Sequence, residues 1–270
     1  MTMMMKKTES LGLNPYSYAA RIFYRRLRWD LQPQSWHSRR LLRSMLGQYS
    51  GRKAVILCNG PSLLQSNLTL LDGVFTFGLN KINLMFESNP FRPSCIVSVN
   101  RLVIEQNKDF FNSTEIPLYL ASSSIDLVPP RKNIVYLHTD APQKMFAEDC
   151  SMSIYVGHTV TFVALQLAYH LGFSSVALIG CDHNFVSSGY PNQALRARGE
   201  DVNHFHPGYF ADGVLWQLPD LSESEVAYKL AKRAFEEDGR QIYNATIGGK
   251  LEIFPRISIA DFMALPIGVS

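Results

Sequence analysis

The chain has 270 residues, of which 46% are hydrophobic and 18% are charged. This composition allows a sizeable core and excludes disorder of the whole chain. The net charge of +3 is unevenly distributed, because residues 1–53 hold eleven Lys/Arg and only two acids. We therefore expect an anionic partner for the N-terminal segment. No nucleic-acid partner is expected for the chain.

Two features of the sequence indicate a cytoplasmic protein. No segment approaches the roughly 18 apolar residues of a membrane-spanning helix. Met1 to Ser10 lacks the apolar region of a secretory signal. The four cysteines form no C-x-x-C pair, so reduced thiols are expected.

The N-terminal segment, residues 1–50, is predicted to be a loose tail over 1–14 followed by two basic helices that are separated at Pro33. Tyr18, Ile22, Leu27 and Leu31 lie near one stripe of the first helix. Two interpretations remain open. The stripe packs on the core with the arginines in water, or residues 15–46 bind peripherally to the inner face of an anionic membrane.

From residue 51 the pattern changes to short apolar runs that alternate with helices. Buried strands are expected at 53–58, 74–79, 95–99, 116–121, 134–137, 175–179 and 241–244, with helices at 156–171 and 223–237. The pattern predicts one α/β domain over residues 51–270, a Rossmann-like mostly parallel sheet with helices on both faces. Residues 181–220 lack periodicity, and a loop of that length is usually functional.

The first candidate binding element is the turn after the 53–58 strand, which reads N-G-P-S. Gly60 permits close backbone approach to a ligand, Pro61 fixes φ, and Ser62 can bind phosphate or cap a helix. With Asn59 they form the first βα turn, where parallel sheets bind nucleotides. An ordinary turn is the alternative.

Asparagine also follows the next two strands, as Asn80 and as Asn100 beside Arg101. The carboxyl ends of parallel strands form one crevice, and an amide suits a base edge or a ribose. Gly157, His158 and Thr159 open the long apolar helix, so they are candidates for anion binding, or Thr159 is simply the cap. Asp182 follows the 175–179 strand and is the best single carboxylate for binding ribose, a substrate hydroxyl or Mg²⁺.

Two histidines in the late loop, His204 and His206, are candidates for acid–base chemistry. A metal site or a plain surface loop are the alternatives. Because no H-E-x-x-H or Cys/His set accompanies them, no metal ligands are assigned.

These motifs, in this order, resemble the MptE-like family, which is named for an archaeal 6-hydroxymethylpterin diphosphokinase. They are also similar to the bacterial sialyltransferases of glycosyltransferase family 42. The resemblance spans about residues 52–255. The stretches N-H-F-H-P-G-Y-F and N-A-T-I-G-G-K-L-E-I-F-P look like a bacterial branch of MptE-like proteins found among surface-glycan genes.

The sialyltransferase resemblance implies a CMP-linked sugar donor at Asn59, Gly60, Ser62 and Asn80, a glycan or lipid-linked acceptor, and no required cofactor. A late-loop histidine would be the general base, with His206 slightly favoured over His204. The sialyltransferases carry Arg-x-Thr-Ser-Gly before the long helix, whereas this chain has Y-V-G-H-T. Their tyrosines that support the leaving phosphate have no clear match after Asp182.

The diphosphokinase resemblance implies instead ATP, Mg²⁺ and a pterin alcohol, with Asp182 as the available metal carboxylate. A non-catalytic nucleotide-binding module is the third alternative. A homo-oligomer is compatible with all three.

Overall fold

A computed structural model describes residues 14–139, 144–185 and 189–266. Its main sheet has seven strands, all parallel, in the order β5-β4-β3-β2-β1-β6-β9, and a separate antiparallel pair is formed by β7 and β8. The strands are β1 (Lys53–Leu57), β2 (Phe75–Leu79), β3 (Cys95–Ser98), β4 (Leu118–Ala121), β5 (Ile134–Leu137), β6 (Ser175–Ile179), β7 (Ala194–Arg196), β8 (Leu215–Gln217) and β9 (Gln241–Asn244).

Seven α-helices accompany the strands in the described part of the chain. They are α1 (Pro15–Asp30), α2 (Pro33–Met45), α3 (Arg101–Gln106), α4 (Lys108–Ser113), α5 (Val160–His170), α6 (Leu221–Glu237) and α7 (Ile259–Ala264). None of the described helices combines the length and apolar character that crossing a bilayer requires. The arrangement is the Rossmann-like α/β fold that the alternating pattern predicts.

Both faces of the sheet are buried, which explains the continuous apolar strands. In β1, Ala54 and Ile56 point to the side covered by α5 and α6, whereas Val55 and Leu57 point to the side covered by α3, α4 and α7. Because all four are fully buried, β1 shows no polar alternation.

The position of β1 in the sheet determines where a ligand can bind. β1 pairs with β2 on one side and with β6 on the other, so the strand order reverses beside it. Such switch points leave a crevice at the carboxyl ends of the strands. The turns after β1 and β6 flank that crevice.

Helix α2 packs against the β5 edge of the sheet. The backbone N–H of Tyr136 in β5 donates to Ser38 Oγ of α2 at 2.9 Å, which satisfies a donor of an edge strand. Leu42 of α2 is buried against α5, and its carbonyl lies 2.8 Å from Nε2 of His170. α2 is therefore part of the packed core, while the domain boundary at residue 50 stays a prediction.

Several local predictions needed correction. The long apolar helix begins at Val160 rather than at residue 156, because Gly157 and His158 both have positive φ. The segment after Gly60 is a 3₁₀ helix, Pro61–Gln65, in which Ser62 is not the cap. The loop over 181–220 contains the β7–β8 pair. All four cysteines are free and buried, in agreement with the expected reduced thiols. Residues 1–13 of the expected tail and 186–188 of the loop lie outside the described residues.

Candidate active site

A cleft of about 920 Å³ opens at the carboxyl ends of β1, β2, β3 and β6. This volume is in the range of small-molecule and cofactor sites. The cleft brings together most of the residues selected from the sequence, which are Asn59, Gly60, Asn80, Asn100, Arg101, Gly157, His158, Thr159, Asp182 and His204. Pro61, Ser62 and His206 are not among the residues that line it.

Asn59 offers an unused amide to this cleft. Its side chain is only 9% exposed, and Oδ1 has no hydrogen-bond partner among the described residues. Burying an unpaired amide oxygen is unfavourable, so a partner supplied by a ligand would stabilise it. The Asn59 carbonyl is already occupied, because it accepts from the Phe205 N–H at 2.9 Å.

The predicted phosphate turn is occupied by a carboxylate of the chain itself. Oδ2 of Asp182 accepts from the Ser62 hydroxyl at 2.9 Å and from the Ser62 N–H at 3.2 Å. A Cβ on Gly60 would lie 1.9 Å from the same oxygen. Gly60 therefore accommodates Asp182, and Ser62 positions that carboxylate instead of facing a phosphate.

His204 forms a pair with Asp201 at the edge of the cleft. Nδ1 of His204 lies 2.7 Å from Oδ2 of Asp201, which also accepts from the Phe210 N–H. Burial alone would raise the pKa of Asp201, but hydrogen bonds from His204 and two backbone N–H groups hold it below its usual value. Because an ionised carboxylate only accepts, Nδ1 carries a proton, and neutral His204 has its lone pair on Nε2.

The ring of His204 is fixed by stacking. It lies parallel to the Tyr209 ring, with centroids 4.0 Å apart and an angle of 1° between the planes. Tyr209 is 1% exposed, and burial raises the pKa of its hydroxyl, against a smaller opposing effect of hydrogen bonding with Asn80. The loop thus holds His204 close to the ends of β1 and β2.

The other loop histidine has a local role. Nδ1 of His206 accepts from the Gly208 N–H at 3.1 Å, within the loop itself. The structure therefore does not support the preference for His206 as the residue at the substrate.

Lys81 ties the same loop to β2. Its ammonium donates to the Tyr209 carbonyl and to Oε1 of Gln106, and it lies 5.0 Å from the Phe210 ring centroid. Burial lowers the pKa of Lys81 to about 8, partly opposed by the negative charge of Asp201. Lys81 is absent from the cleft lining, so it supports the loop.

The start of α5 forms the opposite wall. A Cβ on Gly157 would lie 2.5 Å from Phe162 Cδ1 and 2.7 Å from Ala227 Cβ, so only glycine fits. Thr159 caps α5 by accepting from the Thr161 N–H at 3.3 Å, and its hydroxyl lies 3.4 Å from the Tyr228 hydroxyl. Of the two roles considered for Thr159, the structure shows the capping role.

A second histidine–carboxylate pair borders the cleft. Nε2 of His183 lies 3.1 Å from Oε1 of Glu225 in α6, and the His183 side chain is 7% exposed. His183 follows Asp182 directly, so the end of β6 delivers both a carboxylate and an imidazole.

Backbone strain is concentrated at the cleft. In the described residues, four non-glycine residues have positive φ, and all four line it: Asn80 at 49°, His158 at 58°, His183 at 50° and Asn192 at 63°. This region is unfavourable for residues with a Cβ, and such strain tends to persist at functional sites.

Two residues that line the cleft already make hydrogen bonds within the protein. Arg101 makes a bidentate pair with Asp126 and also donates to the Ser123 carbonyl. Oδ1 of Asn100 caps α3 by accepting from the Leu102 N–H at 2.9 Å. Oδ1 of Asn100 and both Nη atoms of Arg101 are therefore already engaged within the protein.

The sequence over residues 34–188, more than half of the chain, matches the family described as 6-hydroxymethylpterin diphosphokinase MptE-like. The chain belongs to the MptE-like family. The match begins within α2, earlier than the predicted start at residue 52, and it ends before residue 255. No match was found among curated proteins.

A solved structure shares the fold of this MptE-like protein. The MAf glycosyltransferase from Magnetospirillum magneticum AMB-1 is similar over 82% of the chain, with a TM-score of 0.50 and 16% sequence identity. This chain spans 36% of the length of that protein. The likeness shows a common fold.

Among the residues in or near the cleft that sequence reasoning missed are Asp201, Tyr209 and Glu225. Asp201 could have been found, because it lies three positions before His204 in a polar loop. The sequence carries no local signal for the His183–Glu225 pair, since 42 positions separate its members. No cluster of three or more metal-ligating side chains occurs within the described residues.

Proposed function

We propose that this protein is a glycosyltransferase that takes a sugar from a nucleotide-linked donor, CMP-linked, and transfers it to a glycan or lipid-linked acceptor in surface-glycan assembly. The observation that carries the proposal is the His204–Asp201 pair beside the turn after β1. The pair supplies an oriented base next to a crevice of the kind that binds nucleotides. The structurally similar MAf protein is a glycosyltransferase, which also supports the proposal.

The amides at the strand ends suit the nucleoside. Asn59 presents an unpaired Oδ1, and Asn80, the residue directly after β2, has an Oδ1 that accepts from the Ser98 hydroxyl at 3.1 Å. A pyrimidine edge and a ribose need neutral donors and acceptors in fixed positions, which asparagine supplies. A CMP-linked sugar has a single phosphate, and that phosphate requires fewer cations than a triphosphate.

The proposed reaction is a displacement at the anomeric carbon. The acceptor hydroxyl oxygen forms the new bond to that carbon as its proton passes to Nε2 of His204. The bond between the anomeric carbon and the phosphate oxygen breaks, and CMP leaves with the electron pair. Asp201 stabilises the imidazolium that forms. This mechanism requires no metal.

A second candidate is transfer of diphosphate from ATP to a pterin alcohol, as the family description suggests. The favouring observation is the stacked pair Phe210 and Trp216, whose centroids lie 5.3 Å apart at the cleft. Such a surface suits a flat heterocycle. The Mg²⁺ that this reaction needs does not fit well, because Oδ2 of Asp182 is already bound by Ser62.

Thermal-shift and calorimetric titrations with CMP, CDP, UDP, ATP and a pterin alcohol separate the candidates. We expect stabilisation by CMP that is unchanged by a metal chelator, and loss of this response in Asn59→Ala. Stabilisation only by ATP with Mg²⁺ would support the diphosphokinase. Binding of CMP without release of CMP from any CMP-linked sugar would indicate a non-catalytic module.

The proposal places the protein in the cytoplasm, where nucleotide sugars are available. Contact of residues 15–46 with the inner face of the membrane belongs to the same proposal. A homo-oligomer remains compatible with it and is measurable by light scattering.

A further inference from the structure

Helix α1 is attached to the protein along one side only. Nη1 of Arg26 donates to the Met152 carbonyl and to Ser153 Oγ, both at 2.7 Å. Trp29 is 6% exposed and packs in the core beside β5. Asp30 forms ion pairs with Arg26 and with Arg39 of α2. These contacts fix which side of the helix faces solvent.

The opposite side of α1 carries an exposed apolar stripe. Its members recur at helical spacing and extend beyond the helix: Tyr16, Ala20, Phe23, Tyr24, Leu27 and Leu31. Phe23 is 68% exposed, Tyr24 64% and Leu31 69%. Leu27 and Leu31 belong to the stripe for which core packing and membrane binding were both left open, and the structure places both side chains in solvent.

A basic stripe runs beside the apolar one. Arg21, Arg25 and Arg28 recur at i, i+4 and i+7, and all three are exposed. The sequence of α1 contains a single acid, Asp30, which is already paired with two arginines. The solvent-facing side of α1 therefore carries an apolar stripe, and the charged residues beside that stripe are all basic.

We infer that this face of α1 binds an anionic lipid surface, with the apolar stripe inserted between head groups and the basic stripe against their phosphates. Aromatic side chains favour the membrane–water interface, and adjacent arginines add electrostatic attraction to acidic lipids. A second copy of the chain fits less well, since it would bring the same cationic stripe and no compensating acid. This inference deepens the membrane contact that the proposed function includes for residues 15–46, and it assigns that contact to one face of α1. Vesicle binding is measured without a transfer reaction, so its failure would leave the glycosyltransferase assignment untouched.

Vesicle co-sedimentation of the full chain tests this inference. We expect binding to phosphatidylcholine vesicles that contain phosphatidylglycerol, little binding to pure phosphatidylcholine, and release by high salt. Changing Arg21, Arg25 and Arg28 to Gln should weaken binding at least about tenfold, since each basic residue near an acidic surface contributes roughly fivefold. Changing Phe23, Tyr24 and Leu27 to Ser should weaken binding to a similar extent.

Matched controls come from α6 and from exposed positions elsewhere. Lys229→Gln, Lys232→Gln and Arg233→Gln remove the same charge, and Leu64→Ser, Val226→Ser and Ile247→Ser remove exposed apolar groups. Both control triples should bind like wild type. If wild type binds neutral and acidic vesicles equally, the inference is wrong. This comparison uses wild type alone, so it is valid even where a variant fails to fold. Dimerisation that the α1 variants abolish, with no vesicle binding, also overturns the inference and assigns the face to a second copy.

Discussion

Nδ1 of His204 lies 2.7 Å from Oδ2 of Asp201, and the next residue in the loop, Phe205, is hydrogen-bonded to the Asn59 carbonyl. One backbone hydrogen bond, from Phe205 to Asn59, thereby connects the loop that carries the His204 imidazole to the turn that follows β1. The geometry has the parts of a base and its orienting carboxylate. The same geometry predicts which histidine variant should lose transferase activity.

His204→Ala should reduce transfer from a CMP-linked sugar by about 100-fold or more, which is typical for loss of a general base. CMP affinity should be retained. His206→Ala is the matched control, because His206 bonds within its own loop and should keep near-wild-type activity. The measurement is CMP release from a panel of CMP-linked sugars. Activity that survives His204→Ala but not His206→Ala would overturn the assignment of the base.

His183 and Glu225 should be energetically coupled. A double-mutant cycle with His183→Gln and Glu225→Gln, read by urea unfolding, should give a coupling energy of roughly 0.5–1 kcal/mol. The control cycle uses Lys232 and Glu236, whose charged atoms lie 3.9 Å apart at an exposed position, and it should give almost none. If the coupling energy of the His183–Glu225 cycle is as small as that of the control cycle, this pair contributes nothing measurable to stability.

Asn80 should show a conflict between stability and binding. Because its φ is 49°, Asn80→Gly removes backbone strain of about 1 kcal/mol but also removes the amide. We expect the Gly variant to be about 1 kcal/mol more stable than Asn80→Ala in denaturant unfolding. Both variants should bind CMP more weakly, by roughly three- to tenfold. Equal stability of the two variants would show that φ is not strained.

Lys81 should make stability depend on pH in the alkaline range. Burial lowers the pKa of Lys81 from 10.5 to about 8 in the folded protein. Between these values the unfolded chain holds more protons, so the free energy of unfolding gains a contribution that rises with pH. Lys81→Met lacks this contribution. Wild type should therefore gain stability relative to Lys81→Met between about pH 8 and 10.5.

The matched control for this pH dependence is Lys229→Met, because Lys229 is an exposed lysine of α6. The stability difference between wild type and Lys81→Met should change with pH more than the difference between wild type and Lys229→Met. Urea unfolding of the three proteins across this range provides the measurement. A constant difference between wild type and Lys81→Met would mean that Lys81 titrates normally.

Much of the fold could be predicted because its signals are local. Continuous apolar runs such as Lys53–Leu57 and Ser175–Ile179 are typical of strands that are buried on both faces, and they fall where expected. The convergence of Asn59, Asn80 and Asn100 also followed from sequence, since parallel strands end at one edge. The start of α5 was predicted four positions too early, because Gly157 and His158 have positive φ and Gly157 lies close to Ala227 of α6.

The sequence alone therefore determined the α/β class, the position of the crevice and ten of the residues that line it. Tertiary structure decided which of those residues are free. In the folded chain Asp182 accepts hydrogen bonds from Ser62, and Arg101 forms an ion pair with Asp126. His204 lines the cleft, whereas His206 does not. These outcomes depend on contacts between groups 25 to 120 positions apart and on a loop anchored by Lys81 to Tyr209. Local periodicity carries no information about such distant pairs, because only burial of the folded chain selects them.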